Sequence, residues 1–349
     1  MRSIRDRDFI ETIEGFMFCV VGYLHPPGMY TAYLKYIPET EASESIWSRG
    51  TLKYRRILKR YHVLNVKDTF KFLREKYPQY IHYCRVRDIE FSMVPEDYVK
   101  KYYLPELKLC EIMERGPRDI LEERALELIK LISREAGVQL DRMGITGSIL
   151  LGIHNPEISD IDMTVYGLEE ALRLREILKR GIQEIRPQGK KYILEWCRRR
   201  SREFNLPEGI LRTIAKRRWN YGVYKGRMFS VHPIRSDLDI REKYGDKIYH
   251  HVGSIEGEAT ISSSQESIFL PAVYKVEDVV VYRGVSVDDV REIVSYEGLF
   301  CDLADSGDRV VFRGKLELVT EVDTNKTYYR VVLGTTEYGS GYIIKKEIS

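Results

Sequence analysis

The sequence predicts an α+β protein of three domains: an N-terminal α+β domain over residues 1–114, a mixed domain over 115–245, and a small β-rich barrel or sandwich over 246–349. Three observations lead there. Apolar runs on either side of a proline-glycine turn open the chain. Helical periodicity dominates its middle. Short strands separated by Gly and polar turns close it. At 349 residues, 43% hydrophobic and 31% charged, the chain is long enough for several cores and too apolar to be disordered. No run approaches the ~20 apolar residues of a membrane span. The charged start "MRSIRDRDFIETIEG" lacks a signal peptide's apolar core, so no membrane partner and a cytoplasmic location are expected. The five cysteines are scattered with no CxxC pair, as suits reduced thiols rather than a zinc or redox centre.

In the N-terminal domain, "FMFCVVGYL" and "MYTAYLKYI" flank "HPPG" and predict a β-hairpin. Helical patterns follow around 51–61 and 66–76, then a strand-like run over 80–94. His25, His62 and His82 are isolated, with no metal-ligand spacing.

In the middle domain, Ile120, Leu121, Ala125, Leu128, Ile129 and Ile132 recur at helical spacing, with Asp119 as N-cap, Glu122 three positions on, and Gly137 as stop. "GVQLDRMGIT" reads as a short strand ending at Thr146. Gly147 permits a sharp turn, and "SILLG" starts a short helix on which Gly152 shares the Ser148 face and allows close approach. "SDIDMTV" reads as a strand. Helices are expected near 169–180, 189–204 and after Pro207. Lys225-Gly226 fits a tight turn before a strand ending near His232-Pro233.

In the last domain, "VVVYRG", "RVVFRGKLELV", "TYYRVVLGT" and "GYIIKKEI" read as strands of an antiparallel barrel or sandwich. Ser286-x-x-Asp289 signals a helix over "VREIV". Tyr282, Tyr328, Tyr329, Tyr338 and Tyr342 read as packing residues, and His250-His251 as a loop feature.

The chemistry concentrates in "GITGSILLGIHNPEISDIDMTV", residues 144–165. Free N–H groups at the helix start after Gly147, with the Ser148 hydroxyl, favour an anion such as a phosphate. Strand alternation puts Asp160 and Asp162 on one face and turns Ile161 and Met163 toward a core. Two carboxylates side by side repel unless a cation joins them, and Mg²⁺ is suited to bridging carboxylates and substrate phosphates.

Gly147-Ser148, eleven residues, then "DIDM" resembles the motif of the DNA-polymerase-beta-like nucleotidyltransferase superfamily. The resemblance covers about 115–240. It implies a polymerase-beta-like core, Gly147 and Ser148 on the phosphates of a nucleoside triphosphate, and Asp160 and Asp162 on Mg²⁺ or Mn²⁺. The activity it implies is transfer of a nucleoside monophosphate to a hydroxyl acceptor.

The family's third acid aligns with Ser230 in "GRMFSVHPIR", and Ser230 supplies no charged oxygen. His232, two residues on, is a candidate general base. Asp237 and Asp239 repeat the Asp-x-Asp spacing beyond Pro233. Two readings follow: an active transferase with altered ligation, or a nucleotide- or RNA-binding protein that has lost catalysis with the third carboxylate.

RNA is the expected acceptor. Thirteen Lys/Arg stand against three Glu between Arg186 and Arg227. Within 212–227, Trp219, Tyr221 and Tyr224 lie among Lys216, Arg217, Arg218, Lys225 and Arg227. That composition suits a single-stranded nucleic-acid path, and equally a hairpin with a packed Trp and exposed charges. The C-terminal domain fits an RNA-binding accessory. Small-molecule and protein acceptors also fit the chemistry.

Overall fold

A computed structural model describes residues 2–39, 45–57, 63–335 and 341–346. His62 and Tyr338 lie outside the described residues. The α+β class holds: five strands precede the first helix, helices and strands then mix up to Ile234, and strands dominate from Lys247 on.

The N-terminal sheet is built on the expected hairpin, with Met17–Val20 antiparallel to Met29–Glu39. Two expectations are corrected here. The helix around 51–61 is a strand over its described part, Leu52–Arg56, because Tyr54 is fully buried against the hairpin. The run 80–94 is two strands, Ile81–Cys84 and Ile89–Pro95, turned at Asp88, whose φ is 49°.

His25 lies in the connection between the two strands of this hairpin. Thr31 N–H donates to its Nδ1 at 3.2 Å, so Nε2 carries the proton and donates to the Ile4 carbonyl at 3.0 Å. Burial, reinforced by Arg87, lowers the imidazole to about 4. The unfolded imidazole titrates near 6.5, so the stability held by the neutral ring is present above that pH and lost as pH falls toward 4. His25→Asn is expected to be less stable than wild type at pH 7.5, with the gap shrinking by about 2 kcal/mol at pH 4.5. Urea unfolding at both pH values measures it. A pH-independent gap would refute the neutral-ring assignment.

The middle domain carries a mixed sheet in the order Ile185–Arg186, Tyr221–Tyr224, Arg227–Ile234, Ile161–Tyr166, Met143–Ile145. The Asp162 strand runs parallel to the Ser230 strand and antiparallel to Met143–Ile145. Ile161, Met163 and Val165, with Phe229 and Val231, face helices Ile120–Ala136 and Leu168–Arg180 in one core. Asp119 accepts from the N–H groups of Leu121 and Glu122, and Gly137 ends the helix in the left-handed region. Ile120, expected on the apolar face, is 45% exposed. Lys225 (φ 44°) and Gly226 (φ 79°) form the expected tight turn.

The third domain is a closed barrel. Taken in chain order, its closing strands are Lys247–Ser263, Ala272–Gly284, Val290–Ser295, Arg309–Glu321 and Thr327–Leu333, with Tyr342–Lys345 added antiparallel to the fourth. They close in the order first, second, third, fifth, fourth, first. The third and fifth strands are parallel, so the barrel is not wholly antiparallel. The helix expected over "VREIV" is that third strand: β-branched Val290, Ile293 and Val294 are buried between two neighbours. His250 and His251 lie within the first strand, not in a loop. Tyr328, Tyr329 and Tyr342 pack as expected, whereas Tyr282 is 54% exposed.

The domains are not separate beads. Trp196, Phe204, Leu211 and Ile214, from the helices at 190–217, share one core with the barrel interior. Ile268 and Phe269, from the barrel's first connection, enter the core of the middle domain. All five cysteines are free. Among the described residues, no helix is long and apolar enough to cross a membrane.

Candidate functional site

The opening motif folds onto itself. Thr146 N–H donates to the Asp162 carbonyl at 2.9 Å, which sets the strand end beside the second acid. The Thr146 hydroxyl donates to the Arg7 carbonyl at 2.9 Å, tying the N-terminal segment to the same point. Gly147 has φ 68°, and a Cβ there would run into Asp162 Oδ2 and lie 3.1 Å from its Cγ. Both the backbone and the space require glycine.

Other motif residues fall elsewhere. Ser148 is 8% exposed and does not line the cavity beside Gly147. The reason is the N-terminal sheet, whose Phe9, Met17, Tyr36 and Tyr54 pack on Leu150, Leu151 and Ile153 and cover that short helix. Gly152 admits no close neighbour: it is a left-handed helix stop at φ 65° with open space around it. Asp160 is exposed and stands outside the cavity wall, just before the strand that carries Asp162.

Strand register then builds a row across the sheet. Tyr221 pairs with Ser230, and Ser230 pairs with Asp162. The Ser230 hydroxyl donates to Asp162 Oδ1 at 2.5 Å, and its oxygen lies 2.9 Å from His232 Nε2. His232 is 3.8 Å from Asp162, so the link between them runs through Ser230. Asp237 and Asp239 are spent elsewhere: the first pairs with Arg5, and the second accepts from the Ser236 N–H and hydroxyl.

Burial works against the Asp162 charge, but the His232–Ser230 side and Lys35 outweigh it and hold the carboxyl well below its usual range. Burial, with Arg7, lowers His232 to about 4. The imidazole is therefore neutral at pH 7 and aids Asp162 through the hydrogen-bonded serine; the nearby positive charge is that of Lys35. With the Ser230 proton on an ionised Asp162, His232 Nε2 must be the donor to Ser230. As bonded, that nitrogen steadies the pair rather than taking a proton. Desolvation and the Asp162 charge raise Asp160 to about 6, against Arg227 and Arg56. Since Asp160 keeps an exposed flank, the neighbouring charge is the firmer cause.

Asp162, Ser230, His232, Thr146 and Gly147 lie on the wall of an open chamber of about 1060 Å³ lined by residues from all three domains. The N-terminal domain contributes Arg7 and Lys35, which the sequence reading missed. The signal for Lys35 was a lone lysine inside the apolar run "MYTAYLKYI"; it is 7% exposed, with its ammonium 5.0 Å from the Phe9 ring centroid. Arg7 carried no sequence signal. Its backbone is held at φ 68°, a costly conformation for a non-glycine residue.

Most of the basic segment at 212–227 is tied down. Arg217 reaches Asp305 at 2.8 Å, Lys225 reaches Glu127 at 2.7 Å, and Arg227 donates to the Pro156 carbonyl at 2.9 Å. Trp219 Nε1 donates to Asp302 at 2.9 Å. Arg218 and Tyr221 instead line the chamber.

The residues fit one divalent ion better than two. Asp160 and Asp162 repel each other, which a cation would relieve, and Mg²⁺ binds through one or two carboxylates with water and phosphate completing its shell. Among the described residues, no group of three or more His, Cys, Asp or Glu is placed to hold a metal.

No family model matches the sequence, and no solved structure matches it. The chain is similar to the uncharacterized protein MJ1086 of Methanocaldococcus jannaschii, with 31% identity over 347 residues, 98% of this chain and 99% of the relative. The likeness spans all three domains rather than the motif alone, and the chain belongs to the family of that Methanocaldococcus jannaschii protein.

Proposed function

We propose that the chamber binds a nucleoside triphosphate with Mg²⁺ or Mn²⁺ and that the protein is a nucleotidyltransferase of the polymerase-beta-like superfamily, acting on a hydroxyl acceptor, RNA in the first instance. The observation that carries the reading is Gly147, bent at φ 68° directly against the Asp162 carboxylate on the chamber wall. A phosphate chain beside that turn meets backbone N–H groups and the positive charge of Arg7 and Lys35. Asp160 and Asp162 would hold the metal, which when bound polarises the phosphate. Ser230 and His232 keep Asp162 ionised and oriented.

Two features support a nucleic-acid acceptor. The barrel's strand order, with its parallel third and fifth strands, is that of OB-type barrels, which bind oligonucleotides on their second and third strands. That face, through Val273, Lys275, Glu292 and Val294, forms part of the chamber wall. The second reading, nucleotide binding without transfer, is favoured by Ser230 standing where the third carboxylate is expected.

The test is incubation with labelled nucleoside triphosphates, Mn²⁺ and RNA. Transfer that disappears in Asp162→Ala supports the enzyme; nucleotide binding without transfer supports the second reading; no binding of any nucleotide refutes both. Metal binding should also follow Asp160. Mn²⁺ affinity is expected to fall about tenfold per pH unit below the Asp160 value of about 6. Asp160→Asn should bind more weakly with that slope removed. Titrations from pH 4.5 to 7.5 would show an unchanged slope if Asp160 is not a ligand.

A further inference from the structure

The Arg218 guanidinium, on the chamber wall, has no hydrogen-bond acceptor and no carboxylate partner among the described residues, and its Nη1 is buried without one. It is held by rings instead: the guanidinium carbon lies 4.4 Å from the Trp196 ring centroid and 3.8 Å from that of Tyr221. Trp196 and Phe204, both on the same wall, are 3% and 4% exposed. A charged donor in an aromatic setting, unsatisfied by the protein, is costly unless a ligand supplies the acceptor.

Its place beside the sheet, at the end of the helix Glu208–Arg217, says which ligand group. Tyr221, under the guanidinium, is two strands from Asp162 through Ser230, roughly 10 Å at the usual strand spacing. That is within one nucleoside's reach of the phosphates proposed at Gly147, Arg7 and Lys35. Phosphate charge has those two cations at its own end. The aromatic end suits a planar base.

We infer that Arg218, clamped between Trp196 and Tyr221, reads the nucleobase of the bound triphosphate and selects a base with two adjacent acceptors. The inference rests on the chamber being a nucleotide site. Arginine only donates, and its in-plane N–H groups match guanine O6 and N7, or cytosine O2 and N3. Adenine sets an amino donor beside its N7 and is disfavoured.

Calorimetric titration of the full chain with GTP, CTP, ATP, UTP and inorganic tripolyphosphate, with Mn²⁺ present, tests this. Wild type is expected to bind GTP or CTP at least about tenfold more tightly than ATP. Arg218→Gln should erase that preference and leave tripolyphosphate binding unchanged. Arg218→Met keeps the side chain's length with no donor at all and should erase it too, which covers a poorly folded glutamine variant. Equal affinity for all four nucleotides in wild type overturns the inference, as does weakened tripolyphosphate binding in either folded variant, which would make Arg218 a phosphate residue. If neither nucleotides nor tripolyphosphate bind wild type, the nucleotide site itself fails.

Discussion

Gly147→Ala is expected to abolish tripolyphosphate and nucleotide binding and to destabilise the fold by about 2–4 kcal/mol. Two costs combine. A left-handed conformation costs a non-glycine residue about 1–2 kcal/mol, and Gly147 stands at φ 68°. The new methyl would also meet the Asp162 carboxylate, with its Cγ 3.1 Å away, and neither partner moves freely. Asp162 is held by Ser230, and the glycine follows Thr146, which is bonded to both the Asp162 and Arg7 carbonyls. Relief therefore means turning the carboxylate away or unwinding the first turn of the helix, and either removes the phosphate site. Gly152→Ala is the control: it carries a similar backbone penalty at φ 65° but meets no neighbour, so it should lose stability and keep binding. Urea unfolding and calorimetry on both variants separate the effects. A Gly147→Ala protein that binds like wild type would remove Gly147 from the site.

Ser230→Asp is expected to make stability depend on a divalent metal. Position 230 lies opposite Asp162 on the neighbouring parallel strand and is 7% exposed. An aspartate there puts a second, nearly buried carboxylate about one strand spacing from the first and beside His232. Without metal, the repulsion should cost about 3 kcal/mol above pH 6, and the His232 pKa should rise because a carboxylate now adjoins it. With Mn²⁺, three acids share one ion, so affinity should increase at least about tenfold and the lost stability should return. If wild type binds nucleotide without transferring it, the variant should gain transfer. Thermal unfolding with and without Mn²⁺ reads the outcome. A variant whose metal affinity equals that of wild type would show that Ser230 does not occupy the third-carboxylate place.

The middle domain was legible because its signals are local. The N-cap at Asp119, the stop at Gly137 and the turn at Lys225-Gly226 each depend on a few neighbouring residues and formed as read; the strand Ile161–Tyr166 also formed, but it is buried everywhere except at Asp162 and begins after Asp160. The errors came where long-range pairing overrode local pattern. Leu52–Arg56 and Val290–Ser295 carry helix-compatible spacing, yet each lies between two strands that need a partner. Ser148 shows the same effect at the site: a serine after a glycine turn reads as a phosphate ligand, but the sheet of the N-terminal domain packs over its helix.

By itself, then, the sequence placed a glycine turn ahead of a strand that carries Asp162, with Asp160 just before it, and its resemblance to the superfamily pointed to Ser230 at the place of a third acid. The first reading follows from strand alternation and short spacings, the second from the resemblance alone. Only the tertiary structure decided that Asp160 stands outside the chamber while Asp162 faces into it, that Arg7 and Lys35 approach from another domain, and that Arg218 is clamped without an acceptor. Each of these depends on how the hydrophobic cores of the protein close against one another, and that packing joins residues too distant in sequence for any local pattern to record.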